Sequence, residues 1–329
     1  MAPNDLHDSL VEYTRRLAEV KKEMKKVLIG QDHTIDVILK CIICNGHALI
    51  DGSPGIAKTL LVVVLNQAIK GASFGRIQFT PDLLPSDITG VTAYDKQRGF
   101  YTVRGPIFAN IVIGDEINRT PPKVQSAMLQ AMQEREVTIG KETFPLPKPF
   151  LVLATQDPLE TRGVYPLPEA QVDRFFFKIS MGYPSKAEEI GLIESNMEVK
   201  KLEDFGIRQV LELETLIEIQ KTMKRIYISE EIKKYIVSIV NATRRPADYG
   251  IKEGKYIRWG GSPRASINLS LAAKANALMN NRTFVIPEDV RAIAHDVLRH
   301  RIILNYEGKA KGVNTDQMVD AVIKKVPVI

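Results

Sequence analysis

Residues 52–59 have the composition of a loop that binds phosphate. The segment Gly52-Ser53-Pro54-Gly55-Ile56-Ala57-Lys58-Thr59 follows an apolar run that predicts a strand and opens a run that predicts a helix. In that setting, backbone N–H groups and a helix N-terminus converge on an anion. Lys58 would then reach the β- and γ-phosphates, and the Thr59 hydroxyl would bind Mg²⁺. Ala57 stands where the general pattern has glycine, but a small residue still lets the backbone approach phosphate. The alternative is an ordinary strand–turn–helix that happens to contain Lys-Thr.

A second chemical signal is a pair of adjacent acids, Asp115 and Glu116, which end the apolar run 111–114. A buried parallel strand delivers such residues to the carboxyl edge of its sheet, where ligands of open α/β sheets bind. We expect Asp115 to hold Mg²⁺ and Glu116 to polarise an attacking water. Alone, the pair would be better explained as an ordinary acidic strand end, but the loop at residue 52 and the acids reinforce each other.

The elements that must position these residues alternate between short apolar runs and helical stretches. Strands alternating with helices favour an α/β fold, in which a parallel sheet is covered on both faces. The predicted strands are 48–50, 77–79, 111–113, 150–154 and 177–181, and the predicted helices are 10–27, 59–69 and 123–135.

Beyond residue 181 the strand signals fade and the pattern becomes mostly helical. Tyr183-Pro184-Ser185 is typical of a linker, and Ser185 is a candidate N-cap for the helix that follows. We therefore expect two domains, an α/β core with an N-terminal helix over residues 1–183 and an all-α domain over residues 184–329. Further helices are predicted at 211–223, 229–243, 263–279 and 287–300.

Composition narrows the class of protein without naming its function. The 329 residues are 44% hydrophobic and 26% charged, which excludes collagen-like, disordered and low-complexity chains. A net charge of +6 permits nucleotides or nucleic acid as ligands but demands neither. No apolar run approaches the ~18 residues of a membrane-spanning helix. The N-terminus lacks a signal-peptide pattern, and the two cysteines cannot form a disulfide framework, so we expect a cytoplasmic protein.

Cysteine and histidine residues are interpreted as structural. Cys41 and Cys44 are close enough in sequence for a redox or zinc site, but they have no second pair and their surroundings are apolar, which favours buried helix residues. His47, His295 and His300 lack metal-ligand spacing.

Taken together, the motifs resemble those of MoxR-family AAA+ ATPases, and the resemblance spans nearly the whole chain. It implies an AAA+ P-loop core, an all-α lid, and a ring, usually a hexamer, with ATP and Mg²⁺ between subunits. It also implies a chaperone-like protein that remodels, matures or activates a protein client, often beside a partner with a von Willebrand factor A domain. The matching segments are 29–31, 52–59, 79–90, 114–119, 153–158, 165–175 and 261–265.

Residue roles follow from this resemblance position by position. Ile29, Gly30 and Gln31 would contact the adenine, although a plain loop after the first helix explains them equally. Arg174 resembles the arginine finger that reaches a neighbouring subunit's γ-phosphate, and a core-edge salt bridge is the alternative. The residues assigned to the phosphate loop as a whole are Gly52, Ser53, Pro54, Gly55, Ile56, Ala57, Lys58, Thr59 and Leu60.

Arg264 matches the second sensor of the family. Ser262 can cap a helix that has Pro263 in its first turn, so Arg264 would lie at a helix N-terminus. The helix dipole disfavours a cation at a helix N-terminus. The presence of an arginine there is better explained if an anion binds nearby. An exposed arginine on a capped helix is the alternative.

Asp157 departs from the family, which usually has asparagine as its first sensor. An ionised carboxylate can only accept hydrogen bonds, and it repels phosphate. Three accounts are open: Asp157 stays protonated beside the phosphate, it only orients the water, or the site is slow. We favour the second, because a carboxylate can accept from water without touching phosphate.

Residues 137–146 alternate around a Gly-containing turn and predict a β-hairpin. Helicase relatives use a hairpin at this place to grip DNA, so a nucleic-acid-remodelling AAA+ motor is the alternative function. The hairpin is poor in basic residues, and Phe144 is its only candidate for base stacking. We therefore expect a protein client rather than nucleic acid. A nucleotide-binding switch without turnover is a further alternative, against which the presence of Glu116 argues.

Overall fold

A computed structural model describes residues 3–97, 99–158, 163–195 and 202–328 of the chain. The chain divides into two compact units. The first, which we call the sheet unit, consists of Ala18–Phe175 and Ile179–Ile217. The second, the helical unit, combines the segment up to Leu17, Phe176–Lys178 and the segment from Glu218 onward. The helical unit thus combines segments from both ends of the chain. The domain boundary near residue 184 stays a prediction.

Short strands are spread along the sequence, and most of them are four to six residues long. They are β1 (Ala48–Asp51), β2 (Ile69–Lys70), β3 (Phe74–Gln78), β4 (Gly90–Asp95), β5 (Gly99–Arg104), β6 (Ile111–Asp115), β7 (Glu136–Ile139), β8 (Glu142–Pro145), β9 (Leu151–Gln156), β10 (Phe177–Ser180), β11 (Leu211–Glu212), β12 (Ile257–Trp259) and β13 (Ile303–Leu304).

Helices separate these strands and dominate the second half of the chain. They are α1 (Pro3–Lys25), α2 (Asp32–Ile43), α3 (Lys58–Ala68), α4 (Pro85–Thr89), α5 (Pro122–Glu134), α6 (Glu169–Val172), α7 (Lys186–Ser195), α8 (Leu213–Arg225), α9 (Glu230–Arg244), α10 (Pro263–Met279), α11 (Pro287–Leu298), α12 (Tyr306–Ala310) and α13 (Thr315–Lys325). Among the described residues, none of these helices has the length and apolar character needed to cross a membrane.

The sheet unit is built on a five-stranded sheet of order β10-β1-β9-β6-β3. Strands β1 and β9, β9 and β6, and β6 and β3 pair in parallel. All five residues of β6 are buried, as expected of a strand inside a parallel sheet whose faces are both covered. Gly114 lets neighbouring side chains pack closely against this strand, because a Cβ atom there would lie 2.8 Å from Met128 Cε and 3.0 Å from Phe79 Cε2. The predicted α/β fold with a parallel sheet is confirmed.

The helical unit contains long helices whose N-termini are capped by side chains. Ser229 accepts a hydrogen bond from Ile232 N at the start of α9, and Ser262 does the same from Arg264 N at the start of α10. Such caps satisfy backbone donors that have no partner within the helix. The predicted helices at 229–243 and 263–279 are confirmed within a residue at each end.

Two predicted element bounds need correction. The helix predicted from Leu211 begins at Leu213, because Leu211 pairs with Ile69 and extends a two-stranded parallel pair, β2 with β11. The N-terminal helix ends at Lys25 rather than Val27. Helix α2 was predicted only as a helical setting for Cys41 and Cys44, and the hairpin of β4 and β5 and helix α13 were not predicted.

The two cysteines lie at the end of helix α2, and neither forms a disulfide among the described residues. Cys41 lies in the helix and is buried, as predicted, whereas Cys44 is the C-cap residue and is half-buried. Burial raises the pKa of the Cys41 thiol, which keeps it protonated and unreactive.

Candidate functional site

The loop 52–57 connects β1 to α3 and has the backbone conformation of an anion-binding turn. Gly52 cannot be replaced, because a Cβ atom would lie 2.5 Å from Ile56 Cδ1 and 2.7 Å from the carbonyl oxygen of Met181. Gly55 and Ala57 have φ angles of +81° and +64°. Left-handed backbone costs a non-glycine residue about 1–2 kcal/mol, so Ala57 is held there by its surroundings. The loop ends at the N-terminus of an 11-residue helix, which favours bound anions.

Lys58 lies at the mouth of this loop. Its ammonium donates to the carbonyl oxygens of Gly52, at 2.5 Å, and Gln156, at 3.3 Å. These contacts bring the Lys58 charge between the end of β1 and the end of β9. A cation held only by neutral carbonyl groups can gain an anionic ligand without first breaking an ion pair.

Thr59 and Asp115 meet where α3 passes the end of β6. The Thr59 hydroxyl donates to Asp115 Oδ1 at 3.0 Å, and Arg76 Nε lies 3.0 Å from Asp115 Oδ2. The Asp115 side chain is 6% exposed and that of Arg76 is 57% exposed. Hydroxyl and carboxylate oxygens are suitable ligands for Mg²⁺, so the donor set fits the predicted ion.

Glu116 follows Asp115 in a left-handed conformation with φ +61°. Its backbone N–H donates to Thr155 Oγ1 at 2.9 Å, which fixes the turn. Its carboxylate accepts from Gln78 Nε2 at 3.3 Å and pairs with Arg119 Nε at 3.1 Å. The turn and these two neighbours, one of them on β3, therefore fix the orientation of the Glu116 carboxylate.

Asp157 follows β9 and is 5% exposed. It lines a cavity of about 480 Å³, which we call the polar cavity, together with Lys58, Thr59, Asp115 and Glu116. The structure thus brings together five of the residues predicted to carry chemistry. Pro54, Gly55, Ala57 and Leu60 from the predicted loop also line this cavity.

Sequence reasoning missed Arg76 and Gln78, which line the same cavity from β3. The register places Gln78 opposite Asp115 and Arg76 two residues before it, so both side chains point to one face. The sequence did contain a signal for these two residues, because they are polar side chains at alternate positions of one strand, β3.

A second cavity, of about 440 Å³, adjoins the first and is lined mostly by apolar side chains; we call it the apolar cavity. The two cavities share Gly55, Ala57 and Leu60. Predicted residues Ile29, Gln31 and Ile56 line the apolar cavity, and so do Leu28 and Phe205.

The turn at Gln31 is closed by hydrogen bonds. Gln31 Nε2 donates to the carbonyl oxygen of Gly182 at 3.2 Å. Gly30 has a φ of +74°, and a Cβ atom there would lie 2.9 Å from Glu188 Cδ. A polar cavity that meets an apolar one at a glycine loop suits an elongated ligand with an anionic end and an apolar end.

The two predicted arginines lie outside both cavity linings. Arg174 is exposed just after α6, and its Nη1 donates to the carbonyl oxygen of Leu129 at 3.5 Å. Arg264 belongs to the helical unit and is exposed in the first turn of α10. Its predicted cap is confirmed, since Ser262 Oγ accepts from Arg264 N at 3.2 Å. The roles of both arginines toward phosphate stay predictions.

The hairpin predicted at 137–146 is confirmed as β7 and β8, which pair in antiparallel register. Phe144 is half-buried and contacts Phe108 edge to face, with ring centroids 6.4 Å apart, within the range of about 4.5–7 Å typical of aromatic pairs. The Arg104 guanidinium lies 5.3 Å from the centroid of the Phe144 ring. Phe108 and Arg104 therefore cover the Phe144 ring, on which a nucleic-acid base would have to stack.

Comparisons with known proteins agree with this site. The family described as "ATPase family associated with various cellular activities (AAA)" matches residues 47–177, and the "AAA lid domain" family matches residues 252–322. "Chaperone MoxR1" of Mycobacterium tuberculosis is 42% identical over 99% of this chain and 85% of that protein. "Protein MoxR" of Methylorubrum extorquens is 27% identical over 97% of this chain and 96% of that protein. The crystal structure of a putative ATPase from Cytophaga hutchinsonii superposes with a TM-score of 0.91 at 45% identity, covering 99% of this chain and 98% of that chain.

Proposed function

Because this chain belongs to the MoxR family of AAA+ ATPases and hydrolyses ATP, we propose that it works as a hexameric ring that remodels a protein client. The observation that carries this proposal is the single polar cavity in which Lys58, Thr59, Asp115 and Glu116 converge. Such a cavity can position a nucleoside triphosphate and a water molecule for phosphoryl transfer.

The phosphates would lie on the loop 52–59, with Lys58 as their nearest cation. Thr59 and Asp115 would hold Mg²⁺, which when bound neutralises charge that builds up on the phosphates. Glu116 would orient the attacking water and accept its proton, because it lines the same cavity as Lys58 and Thr59. Asp157, buried at the same cavity, would accept a hydrogen bond from that water.

The base would occupy the apolar cavity beside Ile29, Gly30 and Gln31. This assignment is supported by the sharing of Gly55, Ala57 and Leu60 between the two cavities. An apolar wall can pack against both faces of adenine, while the phosphates remain on polar groups.

Ring assembly would complete the site from a neighbouring subunit. Arg174 is exposed, and among the described residues its guanidinium makes one long contact, of 3.5 Å, with a carbonyl group, so it can turn to an external anion. Arg264 would act as the second sensor. An arginine that reaches phosphate from a neighbouring subunit makes hydrolysis depend on assembly.

We propose that the client is a protein or a protein complex and that the chain works in the cytoplasm. A protein with a von Willebrand factor A domain is the proposed class of partner. The word "chaperone" in the name of the Mycobacterium tuberculosis relative supports a protein client. The comparisons give no support to a helicase-type motor, and the covered Phe144 ring argues against base stacking on the β7–β8 hairpin.

Affinity capture with a Glu116→Gln chain tests this function. With ATP present, this variant should hold nucleotide without hydrolysing it and retain its client, which mass spectrometry then identifies. Lys58→Ala is the matched control, because it should lack nucleotide and release the client. Recovery of nuclease-sensitive nucleic acid alone, with no protein enriched over the Lys58→Ala control, would contradict a protein remodeller.

A further inference from the structure

The segment 203–210 contributes to the lining of the apolar cavity and is anchored at several points. A short 3₁₀ helix, Leu202–Phe205, brings Phe205 into the cavity lining. The chain then turns at Gly206, which has φ +55°. Further on, Val210 N donates to the carbonyl oxygen of Ala68 at 3.0 Å, and β11 begins at the next residue.

The strongest anchor of this segment is the carboxylate of Glu23. Arg208 donates to it three times: from its backbone N to Oε2 at 3.0 Å, from Nε to Oε1 at 3.0 Å and from Nη2 to Oε1 at 2.9 Å. Lys26 Nζ also donates to Glu23 Oε2 and, at 3.2 Å, to the carbonyl oxygen of Gly206. The Glu23 side chain is 0% exposed, so these donors replace its contacts with water.

Glu23 carries its negative charge at neutral pH. Burial alone would raise its pKa, but the hydrogen bonds from Lys26 and from Arg208 outweigh burial and lower the pKa to about 2. The anchor therefore does not titrate near neutral pH. Multiple hydrogen bonds to one carboxylate also fix its geometry better than a single ion pair does.

Glu23 links two parts of the lining of the apolar cavity. One part follows Glu23 in the chain, and the other precedes its hydrogen-bond partner Arg208. It is in the last turn of α1, and the residues just after that helix, Val27, Leu28 and Ile29, form one part of the lining. Leu28 N donates to the carbonyl oxygen of Met24 at 3.0 Å, which ties this wall to the helix end. Phe205, three residues before Arg208, forms another part.

We propose that Glu23 and Arg208 are positioning residues for the base of the bound nucleotide, because they hold Phe205 and the segment 27–29 as walls of one cavity. This inference rests on the proposed function, in which the base occupies the apolar cavity. Phe205 supplies an aromatic surface against which a planar base packs. Neither Glu23 nor Arg208 lines the cavity, so both act through Phe205.

Binding of ATP and of inorganic tripolyphosphate to Arg208→Ala and Glu23→Gln chains tests the proposal. Tripolyphosphate has the phosphates of ATP but no base. Equilibrium dialysis with radiolabelled ATP, followed by displacement with tripolyphosphate, gives both dissociation constants for each chain. In both variants we expect the Kd for ATP to rise about tenfold and that for tripolyphosphate to change less than about twofold. Arg208 is 68% exposed, so Arg208→Ala tests the proposal even if Glu23→Gln folds poorly.

A double-mutant cycle identifies the residue through which Arg208 acts. In a Phe205→Ala chain, the further change Arg208→Ala should have no additional effect on the Kd for ATP, because the wall that Arg208 holds is already gone. Glu212→Gln is the matched control. It removes the exposed Lys70–Glu212 ion pair of 2.9 Å from the same segment and should leave both dissociation constants unchanged.

Two results would overturn the proposal: equal weakening of ATP and tripolyphosphate by Arg208→Ala, or additive effects of Phe205→Ala and Arg208→Ala. An unchanged Kd for ATP in Arg208→Ala would overturn it as well. A wrong proposed function would give a different result. In that case Lys58→Ala would leave the binding of ATP and of tripolyphosphate unchanged.

Discussion

The Thr59 hydroxyl donates a hydrogen bond to Asp115 Oδ1 across 3.0 Å. This contact joins the first turn of α3 to the last residue of β6. Because the hydroxyl proton is directed to the carboxylate, the oxygen lone pairs of Thr59 remain available for a cation. Arg76 pairs with the other carboxylate oxygen, so the orientation of Asp115 is fixed from both sides.

Removal of the Thr59 hydroxyl is expected to weaken nucleotide binding only when Mg²⁺ is present. Thr59→Ala should raise the Kd for ATP by about tenfold or more in Mg²⁺, an effect typical of lost metal-site contacts. In EDTA the two proteins should bind ATP equally. Calorimetry in both buffers measures this, and Thr59→Ser is the control that keeps the hydroxyl. Equal losses in Mg²⁺ and EDTA would assign Thr59 to phosphate rather than to the metal.

Lys58 and Glu116 are expected to separate nucleotide binding from hydrolysis. Lys58→Ala should abolish ATP binding, because the cation at the mouth of the loop is lost. Glu116→Gln should bind ATP normally and lose about 10²–10⁴-fold in turnover, the usual contribution of general acid–base groups. Equilibrium dialysis and a phosphate-release assay measure the two properties. An ATPase rate of Glu116→Gln equal to that of the unaltered chain would remove Glu116 from the mechanism.

The fold and half of the candidate site follow from local sequence signals. Asp115 and Glu116 could be predicted because a buried strand that ends in acids leaves them at a sheet edge, whatever surrounds that strand. Arg76 could not, because its role depends on which strand lies beside β6, and strand order is a long-range property. The helix start at Leu211 was mispredicted for the same reason, since its partner Ile69 lies far away in sequence.

Mixed assemblies are expected to show that Arg174 acts across a subunit interface. Arg174→Ala and Lys58→Ala chains should each be inactive alone, because one lacks the finger and the other lacks the loop. Mixed together, they should regain part of the ATPase activity where an intact loop faces an intact arginine. Titration of one variant into the other at constant total protein measures the recovery. No recovery at any ratio would favour action within one subunit or a structural role.

Acid should destabilise the sheet unit through His47. Its Nδ1 accepts from Val152 N at 3.0 Å and its Nε2 donates to the Met132 carbonyl oxygen at 3.1 Å, an arrangement that requires the neutral ring. Burial, aided by the charge of Arg135, lowers the pKa of His47 from 6.5 to about 3. The folded protein therefore stays neutral here while the unfolded chain takes up a proton as the pH falls below 6.5.

This difference in protonation should remove about 1.4 kcal/mol of the free energy of unfolding per pH unit between pH 6 and pH 4. Above pH 6.5 His47 should make no contribution to the pH dependence. Urea unfolding at several pH values measures the slope, and His47→Gln is the control that cannot titrate. Equal slopes in the two proteins would show that His47 is protonated in the folded state or is not the group responsible.

Asp157 occupies the position predicted for the first sensor, and its substitution should reveal what the carboxylate does. Lys58 Nζ lies 3.3 Å from the carbonyl oxygen of Gln156, so a cation adjoins the Asp157 peptide and offsets part of its repulsion toward phosphate. If Asp157 only accepts a hydrogen bond from the attacking water, an asparagine oxygen can do the same without the negative charge. Asp157→Asn should therefore keep or raise turnover and modestly lower the Kd for ATP. Glu116→Gln is the matched control, since it makes the same carboxylate-to-amide change in the same cavity and should abolish turnover. A large loss of turnover in Asp157→Asn, with folding and assembly unchanged, would mean that the reaction needs the charge of this carboxylate.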